Sequence, residues 1–154
     1  MIISFDLDDT LIPGTKVFVT EKQTILQRFL GLEKIRSGTI ALFHELRSQG
    51  HTVYIYTTSF RSAFRIHLMF CMYGIPVSKV INQQLHNRVL KEHKSRTSKY
   101  PPAFGIDAHV DDSIGLHIEG SRYHFKTIII SEQDIDWGDM VLRSISTIHK
   151  SISL

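Results

Sequence analysis

The chain has 154 residues, 42% of them apolar and 21% charged, with a formal net charge of +3 and a pI of about 9.1. That length and composition support one packed core and exclude a disordered chain. The positive excess is small and scattered, so a nucleic-acid partner is not favoured, and the single cysteine, Cys71, excludes an internal disulfide framework.

The opening MIISFD is a short apolar run, rich in β-branched and aromatic residues and ending in acid, and it reads as a buried strand. The segment MIISFDLDD has neither a basic region nor a cleavable apolar stretch. No apolar run reaches the roughly 20 residues of a membrane span. A reducing, cytoplasmic location is therefore expected, with no membrane partner. Pro13 and Gly14 break the chain; residues 15–20 (TKVFVT) alternate and predict a short strand or hairpin arm, and residues 23–31 one or two helical turns. From Ser37 the pattern is helical, with Ile40, Leu42, Phe43 and Leu46 mostly on one face and Gly50 as the stop.

HTVYIYTTS predicts a second strand, followed by a helix from about Arg61 to Tyr73 that Gly74 and Pro76 end. Cys71 lies in the apolar stretch HLMFCMYGI and reads as a small core residue. VSKVIN predicts a third strand, whereas residues 83–105 are polar and basic, carry Pro101 and Pro102, and predict irregular structure. IDAHVD and YHFKTIIIS predict the fourth and fifth strands. The last segment, from about Asp136 to Ser151, predicts an amphipathic helix with Met140, Ile145 and Ile148 as core candidates. This alternation predicts an α/β, Rossmann-like, doubly wound and mainly parallel sheet with helices on both faces, in a single domain spanning residues 1–154. In such sheets ligands bind outside the carboxyl ends of the strands.

FDLDDTL places Asp6, Asp8 and Asp9 just beyond the first strand. Carboxylates this close repel one another unless a cation or separate orientations relieve them. The later ligands and terminal Glu of a calcium loop are missing, and one Asp capping a turn beside two solvated neighbours is the competing reading. Thr57 and Thr58 follow the second strand, and HVDDS supplies Asp111 and Asp112 at the end of the fourth. The nine histidines (His44, His51, His67, His86, His93, His109, His117, His124 and His149) are dispersed without HExxH or paired Cys/His spacing, so no zinc site is expected.

D-x-D-x-T after an apolar strand, then Thr, Lys and Asp-Asp in that order, resembles the motifs of the haloacid dehalogenase (HAD) superfamily over residues 1–115. The stretch KYPPAFGIDAHVDDS, with Glu119-Gly120 and the late Trp137, is also similar to a group of small HAD-like proteins. The resemblance implies that Asp6 is the nucleophile, forming an aspartyl-phosphate, and that Asp8 is the general acid and then the base toward water. It implies Mg²⁺ held by the Asp6 carboxylate, the Asp8 backbone carbonyl and Asp112. Phosphate binding falls to Thr57, with Thr58 as the alternative, and to Lys99, which precedes Tyr100-Pro101-Pro102, with Lys94 as the alternative. Thr10 would order the loop, and Asp111 would support the lysine or a metal-bound water. Asp9 has no role in the pattern and is expected to be exposed; Arg61 is expected at the surface more than at the substrate.

An acid at position 8 points to phosphoryl transfer, since dehalogenase relatives lack it. The expected function is therefore a Mg²⁺-dependent phosphomonoester hydrolase. Only a hairpin or short helix fits between Gly14 and Arg36, so a minimal or absent cap is expected. An open site suits a large phosphorylated substrate, or a small one enclosed by a neighbouring subunit of a homo-oligomer. A receiver domain is disfavoured by motif order: its phospho-accepting Asp ends the third strand, which here reads VIN. A non-catalytic phosphoryl-binding protein on the same fold and a phosphotransferase are the alternatives.

Overall fold

In a computed structural model the described residues are 1–91 and 97–152. Five strands, β1 (Ile2–Phe5), β2 (Thr52–Tyr56), β3 (Lys79–Ile81), β4 (Ala108–Asp111) and β5 (Lys126–Ile129), form one sheet in the order β3-β2-β1-β4-β5. Every pairing is parallel. The architecture is thus α/β with an all-parallel, Rossmann-like sheet. Strand order reverses at β1, so the crevice between the carboxyl ends of β1 and β4 is the topological switch point.

The strands sort their side chains by alternation. Ile3, Phe5, Val53, Ile55, Ala108 and Val110 join one core with α2 (Thr39–Ser48), α3 (Ala63–Met72) and α6 (Trp137–Ile152). Phe43 of α2 stands between Phe5 (4.9 Å) and Phe70 of α3 (5.8 Å), tying the two helices to the central strand. Tyr56 and Ile81 face the opposite layer, with Leu85 of α4 (Gln83–Leu90) and Phe104 of a 3₁₀ turn (Pro101–Phe104). On that side α5 (Ile114–Tyr123) lies close against β5: a Cβ added at Gly120 would meet the Phe125 carbonyl oxygen at 2.8 Å.

Several expectations are corrected. TKVFVT is not a strand; Thr20 makes one isolated antiparallel bridge to Arg36, the Val19 carbonyl accepts from the Ser37 amide at 2.8 Å, and the Val17 and Val19 side chains point into solvent. Residues 83–90 are helical: Asn82 caps the first turn by accepting from the Leu85 amide, and a polar inward face containing His86 disguises the element. Cys71 is exposed, because α3 turns Ile66, Met69 and Phe70 to the core and carries the thiol on the other side. Tyr123 belongs to α5 and not to the fifth strand, which begins at Lys126. The buried stripe of α6 is Trp137, Val141 and Ile145, with Met140 and Ile148 at its edges. The expected connection between Gly14 and Arg36 holds one short helix, α1 (Ile25–Phe29), capped by a reciprocal Thr24–Gln27 pair. Among the described residues no helix is long and apolar enough to cross a membrane.

Candidate active site

The loop after β1 is fixed by its own backbone. The Leu11 and Ile12 amides donate to the Leu7 carbonyl at 2.9 and 2.8 Å, and Asp9 takes a left-handed φ of 60°. Leu7 and Leu11 are fully buried, so the acids between them have set directions. Asp6 points into the switch-point crevice and is 7% exposed. Asp9 is not idle: its carboxylate accepts from the Gly14 and Lys16 amides and the Thr15 hydroxyl, and so shapes the next turn.

Lys99 comes from the segment before the 3₁₀ turn and is 5% exposed. Its Nζ lies 2.6 Å from Asp6 Oδ1 and 2.5 Å from Asp111 Oδ2. Thr57, at the end of β2, is buried, whereas Thr58 is exposed. Lys94, the alternative lysine, and His93 lie outside the described residues.

Beneath these groups runs a polar chain inside the sheet. Ser4 and His109 are paired across β1 and β4. Ser4 Oγ lies 2.7 Å from His109 Nδ1, and His109 Nε2 lies 3.1 Å from Asp111 Oδ2. The carboxylate only accepts, so Nε2 carries the hydrogen and the Ser4 hydroxyl donates to Nδ1. Burial lowers His109 to about 4, so its ring is neutral at physiological pH. Asp111 also accepts from the Ser113 amide at 2.8 Å. Burial works to raise Asp111, but the His109 hydrogen bond and the Lys99 charge outweigh it and hold the carboxyl well below its ordinary range.

Asp6 goes the other way. Burial pushes it up, Lys99 pulls it back, Asp111 adds to the rise, and the result is about 6 against an ordinary 3.8. Burial also works against the Lys99 ammonium, yet Asp6 and Asp111 together raise its pKa. One buried ammonium thus serves two buried carboxylates, and the remaining negative charge is what Asp6 resists. A cation placed here relieves that resistance. Asp6, Asp111 and Asp112 offer carboxylate oxygens within 4.8 Å of one another, an all-oxygen set suited to a hard divalent ion. Asp111 is engaged at both oxygens, whereas Asp112 is the more solvent-accessible of the two. The Asp8 carboxylate lies outside this set.

Asp112 is positioned from two sides. Thr10 Oγ1 donates to its Oδ1 at 3.0 Å, and Lys16 Nζ lies 2.6 Å from its Oδ2. The Lys16 ammonium also stands 3.7 Å from Glu132. Asp8 has a cation of its own: Arg61 Nη1 lies 2.8 and 2.9 Å from its two carboxylate oxygens, while Nη2 bonds Glu33 at 2.7 Å. Arg61 is therefore a member of the site's ion-pair network and not simply a surface charge.

The sequence pattern brought Asp6, Asp8, Thr10, Thr57, Lys99, Asp111 and Asp112 to one end of the sheet. It missed Lys16, Glu33, Ser4 and His109. Ser4 and His109 left a signal, since each is a polar break in an otherwise apolar strand. No model of a known protein family matches the chain, and no curated protein matches it.

Proposed function

We propose that the chain is a HAD-like, Mg²⁺-dependent phosphomonoester hydrolase that works through an aspartyl-phosphate on Asp6. The observation that carries this reading is the Lys99 ammonium bridging Asp6 and Asp111 at the switch point of the sheet, 2.6 and 2.5 Å away. A buried lysine held there neutralises the nucleophile's neighbourhood and offers its remaining donor to a phosphoryl oxygen.

In the proposed reaction the Asp6 carboxylate attacks phosphorus, the bond to the ester oxygen breaks, and Asp8 gives its proton to the departing alkoxide. Thr57 and Lys99 receive the equatorial phosphoryl oxygens. Asp8, now a carboxylate, takes a proton from water as that water attacks phosphorus; inorganic phosphate leaves and Asp6 is restored. Asp6 and Asp112 would hold Mg²⁺, which supplies positive charge between the phosphate and the carboxylates that must approach it. Arg61 pairs with both oxygens of Asp8 in the resting chain, and that pair opens as Asp8 takes up the proton it donates. Exposed Phe60 and Phe64 flank Arg61, and with only α1 between Gly14 and Arg36 the mouth is open to a large phosphorylated substrate.

The test is turnover of para-nitrophenyl phosphate with and without Mg²⁺, in the wild-type chain and in Asp6→Asn. Hydrolysis that needs both the metal and Asp6 supports the proposal. Turnover that survives Asp6→Asn overturns Asp6 as the nucleophile, and none over a panel of sugar phosphates, nucleotides and phosphopeptides overturns hydrolysis in favour of a phosphoryl-binding protein.

A further inference from the structure

Away from this site, a cavity of about 620 Å³ opens between the N-terminal ends of α2 and α6 and the turn after β5. Its apolar wall is formed by Phe18, Ala41, Leu42, Ile135, Trp137 and Leu142. The volume is that of a small-molecule pocket, which needs a few convergent polar groups on an apolar wall. Arg36 provides the first. It is 2% exposed, and its guanidinium lies between the Phe18 ring (4.8 Å) and the Trp137 ring (5.0 Å).

Arg36 Nη2 donates to the Ser131 and Asp134 carbonyls at 2.7 and 3.1 Å. Nη1 is buried and has no hydrogen-bond partner among the described residues. A buried donor without an acceptor costs free energy and calls for an explanation, and a methionine would fill the space between the two rings without that cost. The second group of polar features is the rim. Glu45, Glu132, Asp134, Asp136 and Asp139 line the cavity, five of the chain's 15 acids gathered on one feature of a chain whose net charge is +3. Arg36 is the one basic residue among the lining side chains.

An anion would meet that acidic rim, and a purely apolar guest would leave Nη1 unsatisfied. We propose that this cavity binds a small organic cation: an amine with an aromatic or alkyl body and a carbonyl oxygen. The oxygen accepts from Arg36 Nη1, the body packs on Trp137 and Leu142, and the ammonium meets the acidic rim. Phe18 covers the guanidinium from a segment whose Val19 carbonyl accepts from the Ser37 amide at 2.8 Å, so it is the Phe18 ring, and not its backbone, that must turn aside to admit the oxygen.

Trp137 is the chain's one tryptophan, so its fluorescence reports this cavity directly. The probe is N-(2-aminoethyl)benzamide, which carries ring, carbonyl and ammonium. Hippurate exchanges the ammonium for a carboxylate, and 4-phenylbutylamine lacks the carbonyl. We expect saturable change with the first probe, at least about tenfold tighter than with either control, and loss of that response in Ala41→Phe, which fills the mouth from an exposed helical position. Tighter binding of hippurate, equal binding of phenylbutylamine, or a response that survives Ala41→Phe overturns the proposal. So does a response confined to a lysine- and arginine-rich peptide, which would make the cavity a protein-docking site. Para-nitrophenyl phosphate turnover is read separately, so failure here leaves the phosphatase reading untouched.

Discussion

Lys16 Nζ lies 2.6 Å from Asp112 Oδ2, so the most solvent-accessible carboxylate of the metal-compatible set is held by a tethered ammonium from the loop that follows the acidic turn. The turn that presents Lys16 is itself built by Asp9, whose carboxylate accepts from the Lys16 amide at 2.8 Å. A divalent cation must therefore displace or share this partner. Lys16→Met is expected to tighten Mn²⁺ binding roughly fivefold, equivalent to about 1 kcal/mol for a partly exposed ion pair. Titration followed by electron paramagnetic resonance of free Mn²⁺ checks this, and unchanged affinity contradicts it.

Lys99 is the only partner common to Asp6 and Asp111 among the described groups of the site. Lys99→Met leaves two buried carboxylates facing one another, which should destabilise the fold by about 3–5 kcal/mol. The double variant Lys99→Met/Asp111→Asn removes the repulsion as well, and should lose clearly less than the sum of the two single variants. Urea denaturation of the four chains measures the cycle; strict additivity contradicts the arrangement.

Protonation of Asp6 gives a signed pH dependence. Its folded pKa, about 6, is above the ordinary 3.8, so the folded chain keeps a proton that the unfolded chain has released. That contribution to stability is complete below pH 3.8 and is lost as pH rises through about 6. His109 runs the other way: its pKa falls from 6.5 to about 4, so its contribution is complete above 6.5 and is lost as pH falls through about 4. Taking the difference between Asp6→Asn and wild type removes the contributions of groups that do not touch Asp6, His109 among them. The variant should gain on the wild type as pH rises from about 4 to 6, with a slope approaching about 1.4 kcal/mol per pH unit. Denaturation midpoints across that range supply the measurement, and a pH-independent difference contradicts the assignment.

Arg61 grips both oxygens of Asp8 while bonding Glu33. Both ends of the Arg61–Asp8 pair meet solvent, so its removal should leave stability within about 1 kcal/mol of wild type. Misplacing Asp8 should nonetheless lower kcat/KM for a phosphomonoester by about 10²-fold in Arg61→Ala. Parallel denaturation and kinetics separate the two effects; a loss of stability with unchanged kcat/KM contradicts a positioning role.

The strands and the acids at their ends were legible because a parallel sheet buried on both faces writes short apolar runs, and a carboxylate directly after such a run has one place to go. Asp6 and Asp111 were legible on that basis; Thr57 and Lys99 were legible only through the resemblance to the HAD motif order. Lys16, Arg61 and Glu33 were not, because their pairings depend on how loops fold back across the crevice, and loop paths carry no periodicity. Asp9 was dismissed for the same reason: its partners lie five to seven residues on, in a turn whose geometry composition does not reveal. Helix α4 was hidden by its polar inner face, where His86 Nδ1 meets the Tyr56 hydroxyl at 2.6 Å in place of an apolar contact. Cys71 shows the opposite error, since apolar neighbours on α3 did not make its own side of the helix a buried one.

The proposal stands on covalent chemistry at Asp6, and that bond can be trapped. The full chain is mixed with a rapidly cleaved phosphoester and Mg²⁺, quenched in acid, reduced with borohydride and digested for mass spectrometry. Reduction of an aspartyl-phosphate yields homoserine, which is predicted at position 6 and nowhere else. Turnover that yields no homoserine at position 6, or homoserine at another aspartate, would contradict it.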